Sequence, residues 1–550
     1  MQIWEPHALG ETTLVHAGEV EVRIAGTEAI TVTPVAPDVW LIEAPLASAA
    51  QWRVPCVTAT AFWTPRSGTH WIPPIWNPPM TATLTSGSPV VSLVGTAGAN
   101  LCTVALDGEG SFTGGVIEET GEFVFTVQGE GLRLRLDRSA RPFPAALAGV
   151  AAWWQEGREL PPTPLQARLP VYSTWYSMHQ EVTQESVEHQ ARLAKELGCD
   201  TIIVDDGWQT ADRSRGYAFC GDWEPNPAAF PDMAAHIRRV QDMGMAYLLW
   251  YALPFVGKHN AAFEHFEGKF LRYLDHMDAA VLDPGHPEVR EFLIGRLARA
   301  VEEWGADGLK VDFVERFAGA DEGVRLLLGD LDERLRRTRP EVLVEHRQPY
   351  SGPEMWPYAN MIRAVDCPLS SAENRKRSID LRLTAGPTAV HSDMIVWHPA
   401  EPAEQVAVHL INALFSVPQI SVDLSAQRAD QLAAVRFWLG VFREHLGTLQ
   451  LGDLEPQGPE HGYPLVRASG DGSVIVARYA ALPVDVPADG VLLVANAAAD
   501  PRVVLYGEGE AEVRVRDCGG NPVSSGRLSF AGGTRVVEVP MGGLLELRRD

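Results

Sequence analysis

The strongest constraint on the fold is a repeated alternation in the middle of the chain. Between about residues 170 and 450, short apolar runs alternate with segments that have the apolar periodicity of helices. These runs are apolar on both faces, which is typical of parallel strands covered by helices. The candidate strands are 171–175, 201–204, 246–250, 309–313, 342–344, 361–365, 388–390 and 419–422. Eight strand–helix units in this length predict a (β/α)8 barrel.

An open doubly wound sheet is the alternative arrangement, but no Gly-rich phosphate loop supports it. One helix is predicted closely, from a start near Thr183 to a cap at Gly198, a residue type that suits a helix end. The apolar residues that share one face of this helix are Val187, Ala191, Ala194 and Leu197.

The two ends of the chain have a different texture. Alternating runs such as 20–24 and 132–136 predict half-buried antiparallel strands before residue 150, and β texture returns after about residue 455. The Pro-rich segment 160–164 reads as a stiff connector. We therefore predict a multidomain β plus α/β protein. Its units are an N-terminal β-sandwich-like domain (1–165), a central (β/α)8 TIM barrel (166–452) and a C-terminal antiparallel β domain (453–550).

Charge and cysteine content narrow the class of partner. The chain has 46 Lys and Arg against 71 Asp and Glu, a net charge of −25, which disfavours nucleic acid and anionic membranes as partners. No apolar run approaches about 18 residues, and the first ten residues do not resemble a signal peptide. Six scattered cysteines without a CxxC pair fit a reducing cytoplasm. No metal or other cofactor is expected, and a homo-oligomer is left open.

Polar side chains recur where the predicted barrel strands end, which is where barrels carry their chemistry. One polar strand end is more often a solvated cap or a salt bridge. Six ends that converge in a barrel mouth are harder to explain that way, because a buried charge is costly unless it is paired or used. In strand order these residues are Asp205 and Asp206, Trp250, Lys310 and Asp312, Glu345 with His346 and Arg347, Asp366, and His391 with Ser392 and Asp393.

Two carboxylates and stacking aromatic rings are what glycoside cleavage requires. Lys310 lies two positions before Asp312, so both side chains leave the strand on the same side, and the ammonium favours an ionised Asp312. Four tryptophans offer apolar faces for a pyranose ring, although each one alone is more often a core residue. They are Trp175, Trp208, Trp223 and Trp250.

These residues carry a resemblance to a known family. The matching pieces are 203–208, 221–223 with 230–231, Trp250 and 309–313. The barrel segment, from about 170 to 450, resembles the α-galactosidases of glycoside hydrolase family 36, in the clan that also contains family 27. The last piece is the most specific, because that family places its nucleophile in a Lys-x-Asp on the fourth strand.

The resemblance implies a role for each matching position. Asp312 is similar to the nucleophile and Asp366 to the acid/base, with Arg363 shortly before it at a shifted spacing. Asp205 and Asp206 match the pair that holds the sugar's 4- and 6-hydroxyls. Trp250 and Lys310 match subsite contacts, and Trp175 is a further candidate for substrate binding. Asp380 competes with Asp366, although it can also be interpreted as an exposed charge in a helix that already carries several basic residues.

The sequence departs from the family after the fifth strand. Family 36 commonly has a cysteine-serine-glycine-rich turn there, whereas this chain has Glu345-His346-Arg347-Gln348-Pro349-Tyr350. We expect His346 or Arg347 to shape the pocket near the sugar's 2-position. Arg347 either forms a structural bridge with Glu345 or meets an acidic or otherwise modified sugar. The loop 71–78 with Trp76 either reaches over the pocket or is a Pro-stiffened surface loop.

The predicted function is that of a retaining α-glycosidase, an α-galactosidase acting on small α-galactosides or oligosaccharides. Alternatives within this class are a different sugar specificity, such as an α-N-acetylgalactosaminide, and transglycosylation. A different class of protein, an inactive carbohydrate-binding barrel, is disfavoured because both Asp312 and Asp366 are retained.

Overall fold

A computed structural model describes residues 9–75 and 79–549. Its N-terminal part is a sandwich of two antiparallel β-sheets whose facing apolar side chains form one core. In their order across the first sheet, the described strands are Thr12–Ala17, Val20–Ala25, Ala49–Pro55, Glu122–Gln128, Gly110–Ile117 and Met80–Ala82. Those of the second sheet are Thr31–Ala36, Val39–Ala44, Leu132–Asp137, Asn100–Leu106, Val90–Gly95 and Ala59–Trp63.

The helix Phe143–Gln155 leads from the sandwich towards the barrel. Its buried Trp154 donates its indole N–H to the carbonyl of Leu106, at 3.1 Å, which fixes the helix against the second sheet.

The middle of the chain forms the predicted barrel. All eight predicted strands are present within the described residues, and each neighbouring pair is parallel. A parallel bridge between His391 and Val417 brings the two edge strands together, so the sheet is nearly closed and the open-sheet alternative is wrong. The strands, in order around the barrel, are Val171–Ser173, Thr201–Val204, Ala246–Ala252, Gly308–Asp312, Leu343–Arg347, Met361–Arg363, Ala389–His391 and Gln419–Ile420.

The helix predicted after Thr183 runs from Gln184 to Leu197. Thr183 caps it by accepting a hydrogen bond from the Ser186 amide, and Gly198 ends it with a left-handed backbone. The other α-helices of the described barrel region are Trp175–Met178, Met233–Asp242, Ala261–His265, Pro287–Glu302, Asp321–Thr338, Ser371–Arg382, Ala403–Asn412, Ala429–Glu444 and Leu446–Leu451. A small antiparallel sheet follows the third barrel strand, with strands Phe255–Gly257, Ala279–Leu282 and Phe270–Leu274.

The C-terminal part is a β domain, as predicted. Its pairs are antiparallel except for 473–478 with 490–496 and 484–485 with 502–506, which are parallel. Across the larger sheet the strands are Asp453–Gln457, Leu465–Gly470, Ser473–Arg478, Gly490–Asn496, Gly543–Arg549, Glu510–Arg516 and Pro522–Ser529. The smaller sheet contains Val484–Asp485, Arg502–Tyr506 and Thr534–Glu538. The domain boundaries 1–165, 166–452 and 453–550 stay a prediction.

Asp380 lies where all three parts of the chain meet. Its carboxylate accepts hydrogen bonds from Trp63 Nε1 at 2.9 Å, from His70 Nε2 at 3.1 Å and from the Tyr463 hydroxyl. The residue is fully buried, so the expectation of an exposed charge is wrong. It also does not line the pocket at the barrel mouth. Its helix turns it towards the neighbouring domains, where its carboxylate accepts buried hydrogen bonds away from the pocket.

None of the helices in the described part of the chain is both long and apolar enough to span a membrane.

Candidate active site

A small pocket opens at the carboxyl ends of the barrel strands. It gathers side chains from strands and loops that are far apart in sequence, because parallel strands deliver all their carboxyl ends to one rim. Its lining residues are Trp175, Asp205, Asp206, Tyr217, Trp250, Lys310, Asp312, Phe313, Arg347, Arg363, Asp366 and Met394.

Asp312 ends the fourth barrel strand and is held by three donors. Trp250 Nε1 donates to Oδ2 at 3.0 Å, while Arg347 Nη1 and the Phe313 amide each donate to Oδ1 at 2.9 Å. Burial raises the pKa of this carboxyl, but Arg347 and then Lys310 outweigh it, so the pKa lies below its usual value. An ionised carboxylate in a fixed orientation is suited to nucleophilic attack.

The backbone reverses directly after Asp312. Phe313 has φ +66°, a left-handed conformation that costs a non-glycine residue about 1–3 kcal/mol. The reversal aims the Phe313 amide back at the Asp312 carboxylate. Strain at this point therefore helps to orient the candidate nucleophile.

Asp366 follows the sixth strand and faces Asp312 across one guanidinium. Arg363 Nη2 lies 2.9 Å from Oδ1, and Arg347 Nη2 donates to Oδ2 at 3.2 Å. The side chain is 42% exposed, so solvent and a leaving group can reach it. Burial alone raises the pKa of Asp366, but Arg363 and Arg347 more than offset this and hold the pKa well below its usual range. In the free protein, Asp366 is a carboxylate.

Asp205 and Asp206 form a second acidic pair on the other side of the pocket. Lys310 Nζ donates to Asp205 at 2.6 Å, so Lys310 is the direct partner of Asp205 and acts on Asp312 from a greater distance. Asp206 accepts from Gln180 at 2.8 Å and from Gln209 at 2.7 Å. Burial raises the pKa of Asp206 to about 6. Charged acceptors fixed in this way can bind the hydroxyls of a sugar.

Comparison with known proteins gives a consistent assignment. Residues 165–323 match the family model described as Melibiase. Alpha-galactosidase 2 of Pediococcus pentosaceus is 27% identical over 225 residues, which cover 36% of this chain and 30% of that relative. A solved family 36 α-galactosidase variant from Geobacillus stearothermophilus, in complex with raffinose, superposes with a TM-score of 0.64. That superposition covers 99% of this chain and 85% of the other at 13% identity, so it shows the fold. The chain is similar to family 36 α-galactosidases.

A further relative is named for a different sugar. The A type blood α-D-galactosamine galactosaminidase of Flavonifractor plautii is 30% identical over 135 residues, which cover 21% of this chain and 12% of that enzyme. The chain thus matches less than a third of the length of each of these two curated relatives.

The side chains of the fifth strand, where the chain departs from the family 36 pattern, have other contacts than the sequence predicts. Arg347 contacts Asp312 and Asp366, so the predicted bridge to Glu345 is wrong. Glu345 instead lies 3.2 Å from His391 Nδ1 and accepts from Gln419, deeper in the barrel. Strand alternation turns His346 away from the pocket, where its ring packs on Tyr350 with centroids 5.2 Å apart. Burial lowers the pKa of His346 to about 3, so it is a neutral core residue.

The tryptophans divide between the pocket and the core. Trp175 and Trp250 line the pocket as predicted. Trp208 and Trp223 are fully buried, with ring centroids 6.3 Å apart, and Trp208 donates its indole N–H to the Trp250 carbonyl at 2.9 Å. They support Trp250 from behind. Trp76 lies outside the described residues.

Sequence reasoning missed three lining residues. Tyr217 and Met394 lie in loops without a motif, and Phe313 was noticed only as part of the Lys-x-Asp segment. Tyr217 packs edge-on against Phe313, with ring centroids 5.3 Å apart. Only the path of the loops places these side chains at the rim, so no local signal could have identified Tyr217 or Met394.

The N-terminal sandwich helps to hold the segment that carries Asp366. Gln348 Nε2 donates to Ser67 Oγ of the sandwich at 2.6 Å, and Gln348 Oε1 accepts from the Val365 amide at 3.1 Å. Arg377 donates to the carbonyl of Asp366 at 2.8 Å from the other side. The position of Asp366 therefore depends on contacts from two domains.

Proposed function

We propose that this protein is a retaining α-glycosidase, and specifically an α-galactosidase that hydrolyses terminal α-galactosides of small oligosaccharides. The observation that carries the proposal is the pair Asp312 and Asp366 in one pocket, both contacted by the single guanidinium of Arg347. A shared guanidinium favours a short distance between the two carboxyl groups. Retention needs about 5–5.5 Å between them, whereas inversion needs roughly 6.5–9.5 Å.

In this mechanism Asp312 attacks the anomeric carbon while a protonated Asp366 donates its proton to the leaving oxygen. Asp366 then takes a proton from water, and the water oxygen displaces Asp312 from the anomeric carbon. Asp205 and Asp206 accept hydrogen bonds from hydroxyls on one edge of the sugar. Lys310 and Trp250 set the position of Asp205 and Asp312 respectively.

The sugar preference rests on the relatives and on the pocket's acidic pair. The α-galactosidase of Pediococcus pentosaceus and the α-galactosidase of Geobacillus stearothermophilus solved with raffinose both support a preference for α-galactosides. Hydrolysis of an α-N-acetylgalactosaminide is the second candidate, because of the Flavonifractor plautii relative and the altered turn after the fifth strand. We further propose a cytoplasmic location, which the six unpaired cysteines of the described residues support.

The first test is a survey of nitrophenyl α-glycosides with the full-length protein, followed by NMR observation of the first-formed anomer. We expect the highest kcat/KM on the α-galactoside and release of the α-anomer. Measurable sugar binding without any turnover would favour an inactive carbohydrate-binding barrel, and a first-formed β-anomer would refute retention.

The roles of the two carboxylates are tested with substituted aryl α-galactosides. Asp312→Ala should abolish turnover of every substrate. Asp366→Ala should slow substrates with poor leaving groups most, because good leaving groups need little protonation, and azide should partly restore its second step. Asp330→Ala, a change at an exposed site on a distant helix, is the control. Equal impairment on all leaving groups, without rescue by azide, would reject Asp366 as the acid/base.

A further inference from the structure

Arg347 occupies an unusual position between the two proposed reacting carboxylates. Nη1 donates to Asp312 at 2.9 Å and Nη2 to Asp366 at 3.2 Å. Its guanidinium carbon also lies 5.7 Å from the centroid of the Phe313 ring, and its side chain is only 12% exposed. The two hydrogen bonds use different nitrogens of one planar guanidinium. A small shift of the Arg347 side chain can therefore lengthen one hydrogen bond while it shortens the other.

Double displacement moves one negative charge back and forth between these carboxylates. In the first step Asp312 changes from a carboxylate to a neutral ester, while Asp366 loses its proton to the leaving oxygen and becomes a carboxylate. In the second step a water proton passes to Asp366, the water oxygen bonds to the anomeric carbon, and the ester bond breaks to release the Asp312 carboxylate. Both groups are carboxylates in the free protein, so Asp366 must first take up a proton; from that point on, one of the two is charged at each stage.

Within the described residues, neither of the two neighbouring cations hydrogen-bonds both carboxylates. Lys310 is bound to Asp205, and Arg363 donates to Asp393 at 2.6 Å and to the Ala364 carbonyl at 2.9 Å. Arg363 contacts Asp366, but the donors to Asp312 in the described structure are Trp250, Arg347 and the Phe313 amide. Among the side chains that the structure describes, Arg347 is the cation that hydrogen-bonds both carboxylates.

We propose that Arg347 is a positioning residue whose guanidinium follows the negative charge from Asp312 to Asp366 and back during the catalytic cycle. The inference rests on the proposed function and adds a specific role for one residue of the segment 345–350, which departs from the family pattern. Before the first step Arg347 binds Asp312 and releases Asp366 for protonation. In the glycosyl-enzyme it binds the new Asp366 carboxylate.

The proposal has a consequence for both half-reactions. Without Arg347, each step would create a carboxylate that lacks one charge-assisted donor, so both steps should slow. Both carboxyl groups should also become harder to ionise, because Arg347 lowers the pKa of each. Other ionisable groups also act electrostatically on Arg347 or on these two carboxyl groups. They are present in both the wild type and an Arg347 variant, so they do not cause the difference between the two proteins. They are Lys310, Arg363, Glu315 and Tyr350.

The test compares Arg347→Met and Arg347→Lys with wild type, using Arg337→Met on an exposed helix face as the matched control. Glycosylation is followed by kcat/KM, and deglycosylation by kcat on a substrate with an activated leaving group. We expect Arg347→Met to slow each step by at least 10-fold and to move both limbs of the pH profile to higher pH. Arg347→Lys should restore part of the rate, because an ammonium group supplies the positive charge but cannot hydrogen-bond both carboxylates through two separate nitrogens.

A second measurement does not depend on turnover. Infrared difference spectra of protein labelled at aspartate carboxyls, assigned with Asp312→Asn and Asp366→Asn, report their ionisation in the free enzyme. The pKa of both carboxyl groups should be higher in Arg347→Met than in wild type. If the pKa of both carboxyl groups in Arg347→Met equals that in wild type, or if only one of the two steps slows, the inference is overturned even though the enzyme is active. A changed ranking among 2-substituted or acidic sugars with an unchanged pH profile would also overturn it and make Arg347 a substrate contact. A wild-type protein inactive on all α-glycosides would instead refute the proposed function.

Discussion

Replacing Asp380 with alanine should destabilise the junction of the three parts of the chain without altering the chemistry. The carboxylate accepts from Trp63 of the sandwich, from His70 on the loop after it and from Tyr463 of the C-terminal domain. The His70 ring is oriented by the Thr64 amide, 3.4 Å from Nδ1, which leaves Nε2 to donate to Asp380. Every partner is buried, so water cannot replace the lost acceptor.

The magnitude follows from the donors left behind. Removing the carboxylate leaves the Nε2–H of His70 and the hydroxyl of Tyr463 without this acceptor, whereas Trp63 Nε1 can still donate to the Tyr463 oxygen at 2.9 Å. Each unsatisfied buried donor costs about 1–3 kcal/mol, so we expect Asp380→Ala to lose about 2–6 kcal/mol of unfolding free energy. Asp380→Asn should lose less, because its amide oxygen still accepts from Trp63 and Tyr463.

Urea unfolding followed by tryptophan fluorescence measures this loss, with Asp330→Ala on an exposed helix position as the control. Several domains contribute, so the first unfolding transition is the one to compare. The leaving-group dependence of the folded variant should match wild type. A variant as stable as the control would refute the structural role. A folded variant that slows poor leaving groups selectively would restore Asp380 as an acid/base candidate.

Two further predictions concern Asp206 and Thr183. Asp206→Asn should lower kcat/KM on the best substrate by about 10- to 150-fold, because a hydrogen bond to a charged acceptor contributes about 1.5–3 kcal/mol; unchanged kinetics would make the residue structural. Because the pKa of Asp206 is raised to about 6, its contribution to stability is present below the ordinary carboxyl pKa and is lost as the pH rises through about 6. The Tm of Asp206→Asn relative to wild type should therefore increase between about pH 4 and pH 7. Thr183→Ala should cost about 1 kcal/mol in denaturant unfolding through the lost helix cap, whereas Thr338→Ala, near a helix C-terminus, should cost less; equal losses would argue against capping.

Local patterns were sufficient for the barrel and for most of its rim. Each strand is a short run with apolar side chains on both faces, and most are followed by a polar residue at the carboxyl end. The eight units, and residues such as Asp205 and Asp312, could therefore be recognised from consecutive residues alone. The Thr183 and Gly198 caps are likewise local, since a cap depends on side chain and backbone conformation within one turn.

Partners across the barrel could not be recognised in this way. Spacing showed that Lys310 and Asp312 leave their strand on one side, but the nearest carboxylate to Lys310 is Asp205, which comes from another strand. The same limit explains Arg347. Its predicted partner Glu345 is two residues away, whereas its actual partners are at the end of the fourth strand and in the loop after the sixth. His346 and Arg347 were treated together, yet strand alternation separates them onto opposite faces.

The barrel, the β domains on either side and the positions where acidic side chains emerge can be predicted from the sequence, because periodicity and strand-end chemistry are properties of consecutive residues. Which charges meet depends on the folded chain. It put Arg347 between Asp312 and Asp366, lowered the pKa of both carboxyls, and buried Asp380 against residues more than 300 positions before it and 83 after it. Electrostatic interactions act through space and depend on burial, so their outcome is set by the closed barrel and its neighbours rather than by distance along the chain.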